Sequence, residues 1–443
     1  MQQTKPVSTA LYDLITGDED ARVCKDIPDE SCKHQPVNFF LHLLSNFFTK
    51  LADEVASARL VFPWVLGLLG APMLLVSLAV PVRESGILLP QLFIAAKIRA
   101  LALRKYVWMF GGLLSGLALW VCGLALIIDL EPVQATWLVF TALLVFSFAR
   151  GICSVASKDV LGKTVSKTRR GTLMGLATSI SGIFTLLLGL NLGFYDELKS
   201  NEWVLAALFG IAGACWMIAS VAIWVIREEP GATEGGANAG VEALKSLKLL
   251  RDDKPFRNFV IVRTLLLSVS LGSPMLIILA QNALGNAALI GLFLIVSGLA
   301  NTVSGYLWGR LADYSSRTLM AISSGINALV GIAVLMILQS EVDVSALLLF
   351  VVAYFLASVC LAGVRLGRKT LLVDMGNQET RSAYVAVSNT AIGILILLMG
   401  ASVSLVAGQD TRIMLWIFSG LSAAACVLCP LLLPAQRGEQ HSN

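Results

Sequence analysis

The sequence predicts an all-α integral membrane protein of twelve transmembrane helices, arranged as two six-helix repeats of like orientation. Three observations carry that expectation. The 443 residues are 56% hydrophobic and only 14% charged, with a mean hydropathy of +0.78, too apolar for a chain that must cover itself with water-facing surface. Apolar runs of bilayer length, roughly 20 residues each, begin near Leu60, Gly86, Tyr106, Ala135, Gly171, Glu202, Phe259, Leu289, Arg317, Ser345, Ala383 and Ile413. The least hydrophobic internal stretch, residues 227–257, divides these runs six and six.

Residues 1–36 form a polar tail of mixed charge without a cleavable signal pattern, so the first span is expected to act as the targeting signal. Cys24, Cys32 and His34 lie close together in that tail. Zinc wants four ligands, so the expectation is an ordinary reduced tail with no metal and no structural disulfide. In residues 37–58, Phe40, Leu44, Phe47, Phe48, Leu51 and Val55 recur at helical spacing, with His42, Asn46, Lys50 and Asp53 opposite them. That pattern predicts an amphipathic helix lying on the membrane surface. An N-terminal six-helix half (59–226), a Gly/Ala/Glu-rich then basic linker (227–257), a C-terminal half (258–434) and a short tail (435–443) follow.

Nearly all of the 33 Lys and Arg residues fall in the tails and in the loops joining even-numbered to odd-numbered spans. Both termini are therefore expected to be cytoplasmic. Arg83, Lys199 and Arg412 fall in the other loops, and Arg150 falls inside a span. The short loops and the absence of an Asn-x-Ser/Thr acceptor fit a multi-pass protein of a bacterial inner membrane. The net charge of +4 reflects the loop asymmetry and gives no sign of nucleic-acid binding.

An internal repeat is visible. Gly70-Ala71-Pro72-Met73, read as part of the first span, is echoed by Gly272-Ser273-Pro274-Met275 in the seventh, and both are expected to be kinks. Lys158, Arg170 and Gly182 match Lys369, Arg381 and Gly393 at a steady offset of 211. Two parallel six-helix halves are implied.

These features resemble the major facilitator superfamily, and the resemblance runs from Leu60 to Leu433. The stretch Gly309-Arg310-Leu311-Ala312-Asp313-Tyr314-Ser315-Ser316-Arg317 is similar to the family's G-x-L-x-D-R-x-G-R loop, departing at Tyr314 and Ser316. The segment from Lys158 through Arg169-Arg170-Gly171 is similar to the family's loop between spans four and five. The resemblance implies a cytoplasmic gate in which Asp313, with Gly309 and Arg317 beside it, meets Arg169 or Arg170. In the first-half copy of the loop Ala100 stands where the acid should be, so either the opposite latch has its charges reversed, Arg99, Arg104 or Lys105 against Asp374 or Glu379, or these basic residues serve only as topology signals.

Charges inside a bilayer are costly and face internal cavities. Arg150 is the clear case, available either to bind substrate and gate or to pair structurally. Gln91, Asn191, Gln281, Asn301, Tyr354 and Asn389 complete an expected cavity lining, each equally able to serve as a helix-to-helix hydrogen bond. No acid is read at mid-span. Glu84, with its neighbour Arg83, is therefore the coupling candidate by elimination, placed in the loop between spans one and two. Cys426 and Cys429 are read as core. The resulting expectation is a monomeric secondary transporter of a small, anionic organic solute, working by alternating access in contact with the lipid bilayer. It is expected not to be an enzyme and to need no cofactor. The rivals are efflux of amphipathic or cationic compounds, disfavoured because the spans offer no anionic group, and a non-transporting assembly or sensor protein on the same fold.

Overall fold

The computed structural model describes residues 32–91, 94, 97–98, 101–194, 202–230, 248–284, 289–340, 345–375, 381–407 and 410–434. Among them the regular structure is entirely helical. The N-terminal half holds α1 (Gln35–Val55), α2 (Val61–Leu68), α3 (Met73–Leu88), α4 (Lys105–Ile127), α5 (Pro132–Thr164), α6 (Lys167–Phe194) and α7 (Glu202–Val225). A short α8 (Leu249–Asp252) leads into the C-terminal half: α9 (Lys254–Leu265), α10 (Leu267–Leu284), α11 (Leu289–Tyr314), α12 (Ser316–Gln339), α13 (Ala346–Met375), α14 (Arg381–Ala407) and α15 (Thr411–Leu432).

The helices start where local chemistry allows. Pro36, Pro132 and Pro255 sit in first turns, where the missing N–H is not needed. The side chains of Asp253, Ser315 and Asp410 cap α9, α12 and α15 by accepting from Phe256 N, Thr318 N and Arg412 N.

The main packing contacts of one half recur in the other. Helix α4 packs on α5 and α7 as α12 packs on α13 and α15, α3 packs on α5 as α11 packs on α13, and α1 packs on α6 and α7 as α9 packs on α14 and α15. Between the halves, α3 lies against α14 and α6 lies against α11. Two parallel repeats of one six-pass unit account for this pattern. Nine stretches among the described residues are long and apolar enough to cross a bilayer. The other passes of the repeat are the broken pair α1–α2, the charged α3, and α11, whose apolar stretch is the shorter Ile290–Ser304. Exposed apolar side chains such as Phe110, Val221, Leu398 and Leu405 stud the outside of the bundle, as expected where lipid is the solvent.

The first span is the main correction. Residues 37–58 are not a surface helix: α1 is packed between α6 and α7, and its polar side chains Asn38, His42 and Ser45 are fully buried. The helical spacing of polar residues was real, but that face turns inward onto hydrogen-bond partners instead of outward to water. The first span is therefore α1 and α2 together, broken at Ala56–Leu60. The Gly70 to Met73 stretch follows it as a turn. Gly70 takes φ +66°, a left-handed conformation that glycine adopts without a Cβ penalty, and Pro72 is the N-cap of α3. Its apparent echo around Pro274 lies inside α10, so that match is not structural. The offset of 211 is the structural one: added to Val55, it lands on Leu266, at the break between α9 and α10.

The halves meet closely at Gly393 on Leu89 and Gly400 on Pro81, and also toward the end of the bundle that carries Asp129, Glu131 and Asp410, the acidic end, opposite Lys105 and Lys163. A Cβ at Gly189 in α6 would lie 3.0 Å from the Gly291 carbonyl oxygen of α11, and one at Gly67 in α2 would lie 2.5 Å from Gln281 Oε1 of α10.

Candidate functional site

The broken first span builds the centre of the molecule. Near its start, Asn38 exchanges two hydrogen bonds with the backbone of Arg227, at 2.9 and 3.0 Å. One turn on, His42 Nε2 lies 2.8 Å from Thr164 Oγ1. These contacts fix the rotation of α1, and the same face then carries Lys50, Asp53 and Glu54 to a central cavity between the halves. Where α1 ends, the chain turns at Ser57, and Arg59 reaches the cavity from the break.

The cavity has a volume of about 580 Å³ and is lined by seven basic side chains, Lys50, Arg59, Arg83, Arg150, Arg365, Arg368 and Lys369, against three carboxylates, Asp53, Glu54 and Glu84. Its hydroxyls and amides come from both halves, among them Thr178, Ser181, Ser273, Ser297, Asn301 and Tyr354. The N-terminal charges are engaged. Asp53 bridges two arginines, Arg150 at 2.6 Å and Arg83 at 3.1 Å. Each of those guanidinium groups also lies over an aromatic ring, Arg150 on Trp216 at 4.7 Å and Arg83 on Phe146 at 4.6 Å, a geometry that favours a cation. Arg59 binds Glu84 at 2.7 Å and donates to Ser270 Oγ of the other half at 3.1 Å. Glu54 accepts across the halves from Asn301 at 3.3 Å and from Ser297 at 3.5 Å.

The sequence-predicted residues divide accordingly. Arg150, Asn301 and Tyr354 line the cavity, as do Glu84 and Arg83. Glu84 and Arg83 sit inside α3, not in a loop, and face different partners. Gln91 and Asn389 do not line the cavity. They bond to each other across the halves at 3.3 Å, in a string that runs from Ser154 through Gln91 and Asn389 to Arg263. Arg263 also donates to Ser388. Gln281 donates to the Trp64 carbonyl at 3.3 Å, and Asn191 is exposed on α6. Cys426 and Cys429 carry free thiols, Cys429 buried and Cys426 partly so.

At the basic end the described partners of Arg104 and Lys105 lie in their own half, and the carboxylates expected for the reversed latch fall outside what is described. Arg104 pairs with Asp159 of its own half at 3.0 Å, and Lys105 Nζ donates to the carbonyls of Trp224 and Ile226. Glu228 accepts from the backbone N–H groups of Arg104 and Lys105 and binds Lys163 at 2.9 Å, tying the end of α7 to the start of α4. Arg170 donates to the carbonyls of Val165 and Gly162, Arg169 is buried, and Arg317 reaches the Leu433 carbonyl. Arg99 and Glu379, the surroundings of Gly309, and the side chains of Asp313 and Asp374 lie outside what is described. In the N-terminal tail Cys32 is disulfide-bonded, against the expectation of a reduced tail, and is therefore no free thiolate for a metal. His34 Nδ1 lies 3.3 Å from the Arg227 guanidinium. Cys24 is outside the described residues.

Sequence reasoning missed Lys50, Asp53, Glu54, Arg59, Arg365, Arg368 and Arg263. A usable signal existed for the first four. Subtracting the 211-residue offset from the expected start of span seven at Phe259 gives position 48, inside α1 and well before Leu60.

Residues 265–443 match the family model described as Major Facilitator Superfamily. The sequence matches no curated protein. Solved structures of similar fold include a mutant of the nucleoside transporter NupG, 13% identical with a TM-score of 0.66, the match covering 90% of this chain and 100% of that one. The xylose transporter XylE from E. coli in an inward-open conformation is 11% identical with a TM-score of 0.60, covering 92% and 98%. A POT family transporter in complex with 5-aminolevulinic acid is 12% identical with a TM-score of 0.65, covering 93% and 99%. At such identities the likeness establishes the fold.

Proposed function

We propose that this chain, a multi-pass membrane protein of the major facilitator superfamily and a transporter rather than an enzyme, is a secondary carrier that moves a small organic anion by alternating access. The observation that carries the anion is the cavity's charge: seven bases against three acids in a space of about 580 Å³. A group of this size in low dielectric holds unbalanced cations only at considerable cost, and an anionic cargo offsets it. Donors stand ready as well. Arg150 Nε and Arg83 Nη1 are buried without a hydrogen-bond partner, and an unmet buried donor gains most from a ligand oxygen.

The three carboxylates remove the earlier ground for setting cation efflux aside, since the spans do offer anionic groups. The balance still disfavours a cation, because Asp53 and Glu84 are already held by arginines. Glu84, between Arg59 of its own half and Arg365 of the other, is the proposed coupling carboxylate. Arg83 serves to hold Asp53. The close approach of the halves at Gly67 and Gly189 supports a conformation closed at the acidic end. By the distribution of basic residues, that is the face away from the cytoplasm, with both termini cytoplasmic.

Thermal unfolding of the purified protein against pooled carboxylates, phosphate esters, amines and neutral sugars tests the reading. A ligand present at 100 times its Kd stabilises by about 2.7 kcal/mol. Stabilisation by anions, reduced in Arg150→Ala, is the expected result. Stabilisation by amines or apolar compounds alone, equal in both proteins, would move the efflux reading ahead.

A further inference from the structure

The two walls of the cavity differ in a way that narrows the cargo. All three lining carboxylates come from the N-terminal half, on α1 and α3. The C-terminal half contributes Arg365, Arg368 and Lys369 and no acid. These three lie at i, i+3 and i+4 of α13, so they share one face of one helix, with neighbouring Cβ atoms roughly 5–6 Å apart. Among the described residues neither Arg368 nor Lys369 has a carboxylate within 4 Å. Arg365 has one only at 3.8 Å, and that is Glu84, whose same oxygen is already bound by Arg59 at 2.7 Å. Lys50 faces the cavity from the opposite wall, also without an ion-pair partner.

Resting on the anion-carrier reading, we infer that the α13 face of Arg365, Arg368 and Lys369 is a site for a compact dianion, either a phosphate monoester or a dicarboxylate, and that Glu84 is the internal anion standing partly in its place when the carrier is empty. One negative charge would balance one of three adjacent cations and leave the like-charge contacts among the others. Two charges, held by two forks and an ammonium, match the face. Arginine's planar fork suits either oxyanion, so chemistry alone does not separate the two sources. Glu84 reaches Arg365 from the other half at a distance too long for a good charge-assisted hydrogen bond, as expected of a group that an incoming oxyanion displaces. Cargo binding would then free Glu84 from the C-terminal half, which links occupancy to the contact between halves.

The test is direct binding to the purified full-length protein at pH 7.5, using matched pairs of probes: succinate against butyrate, and ethyl phosphate against ethanesulfonate. The expected result is at least tenfold tighter binding of one dianion than of its monoanionic partner. Arg368→Gln should abolish that preference and Arg368→Lys should largely keep it. Glu84→Gln should bind the dianion several-fold more tightly, a gain that misfolding cannot produce. Succinate or ethyl phosphate as the preferred member distinguishes dicarboxylate from phosphate ester, and either supports the inference. Equal binding of mono- and dianions, or an undiminished preference in Arg368→Gln, would overturn the dianion site while leaving an anion carrier standing. Binding of no anion at all would overturn both.

Discussion

The two halves share one fold and use their charges in opposite ways. In the N-terminal half most of the charged side chains in the cavity close on each other, Asp53 between Arg83 and Arg150, Glu84 on Arg59, and both central guanidinium groups seated on rings, with Lys50 and Glu54 the exceptions. In the C-terminal half the corresponding wall presents Arg365, Arg368 and Lys369 with no acid of its own. In the first arrangement each paired acid already holds its arginines, and in the second the cations lack an acid of their own half. The repeat sharpens the point for two of these charges, because Arg150 corresponds at the 211 offset to Leu361 and Arg365 to Ser154, whereas Lys369 corresponds to Lys158 and is shared by the halves. The comparison teaches that the N-terminal charges are largely balanced among themselves while the C-terminal charges await a partner.

The largest effect should come from breaking the paired side. Asp53→Asn leaves Arg83 and Arg150 facing each other with only their rings, and removal of one partner from a buried ionic group costs about 3 kcal/mol or more. The Asp53 and Arg150 side chains keep 27% and 22% of their surface exposed to the cavity, so the lower end of that range is expected. Equilibrium unfolding in detergent measures it. A change under about 1 kcal/mol would mean that cavity water screens the triad, and the contrast between halves would weaken.

The seam between the halves comes next. In Gly189→Ala the new methyl would stand 2.9 Å from Ile295 N and 3.0 Å from Gly291 O, both backbone atoms of α11 that cannot swing aside. Overpacking of that kind costs about 1–3 kcal/mol. Because the clash lies at the acidic end, the expected outcome is a wider separation there, read by spin-label distances across α6 and α11. An unchanged distance distribution would show that the closed end does not depend on this contact.

How legible all this was depends on the same contrast. The C-terminal spans announced themselves: Phe259, Leu289 and Arg317 fall within or at the start of the helices built there, and residues 265–443 are also where the family model matches. The N-terminal half hid its first span because α1 carries Lys50, Asp53 and Glu54 in its second half and buried polar groups in its first. A hydropathy window penalises each charge whether it meets lipid or a cavity. Spacing alone identified the polar face of α1 correctly and could not say which medium it met. Arg150 was found because apolar neighbours isolate it. Arg365 and Arg368 were missed because they lie close to Lys369 and the basic end, where Lys and Arg also mark topology. The partners Asp53 and Trp216, distant in sequence, were beyond reach of any local pattern.

A smaller effect is expected at the hydrogen-bonded string beside the cavity. Gln91→Ala removes the amide that accepts from Asn389, a bond of 3.3 Å between halves. Interhelical hydrogen bonds in membranes average about 0.6 kcal/mol. Stability should fall by about that much, and the balance between conformations should shift toward separation at the basic end. A loss several times larger would show that the string from Ser154 to Arg263 acts as one cooperative network.

The smallest effect is the most informative about the contrast. Arg368→Gln removes a cavity-lining cation that, among the described residues, has no carboxylate within 4 Å and has two cationic neighbours on its own helix face. Nothing in the folded protein loses an ion pair, and like-charge contacts at i, i+3 and i+4 are worth only a few tenths of a kcal/mol on a helix. Unfolding stability without ligand should therefore stay within about 0.5 kcal/mol of the parent, and any shift should be upward. The same substitution should remove the ligand-induced rise in stability that anions produce. A variant that is no less stable and no longer responds to ligand would identify the residue as one held for cargo. A loss of stability like that of Asp53→Asn would instead show that Arg368 is part of the scaffold and that both walls of the cavity are balanced.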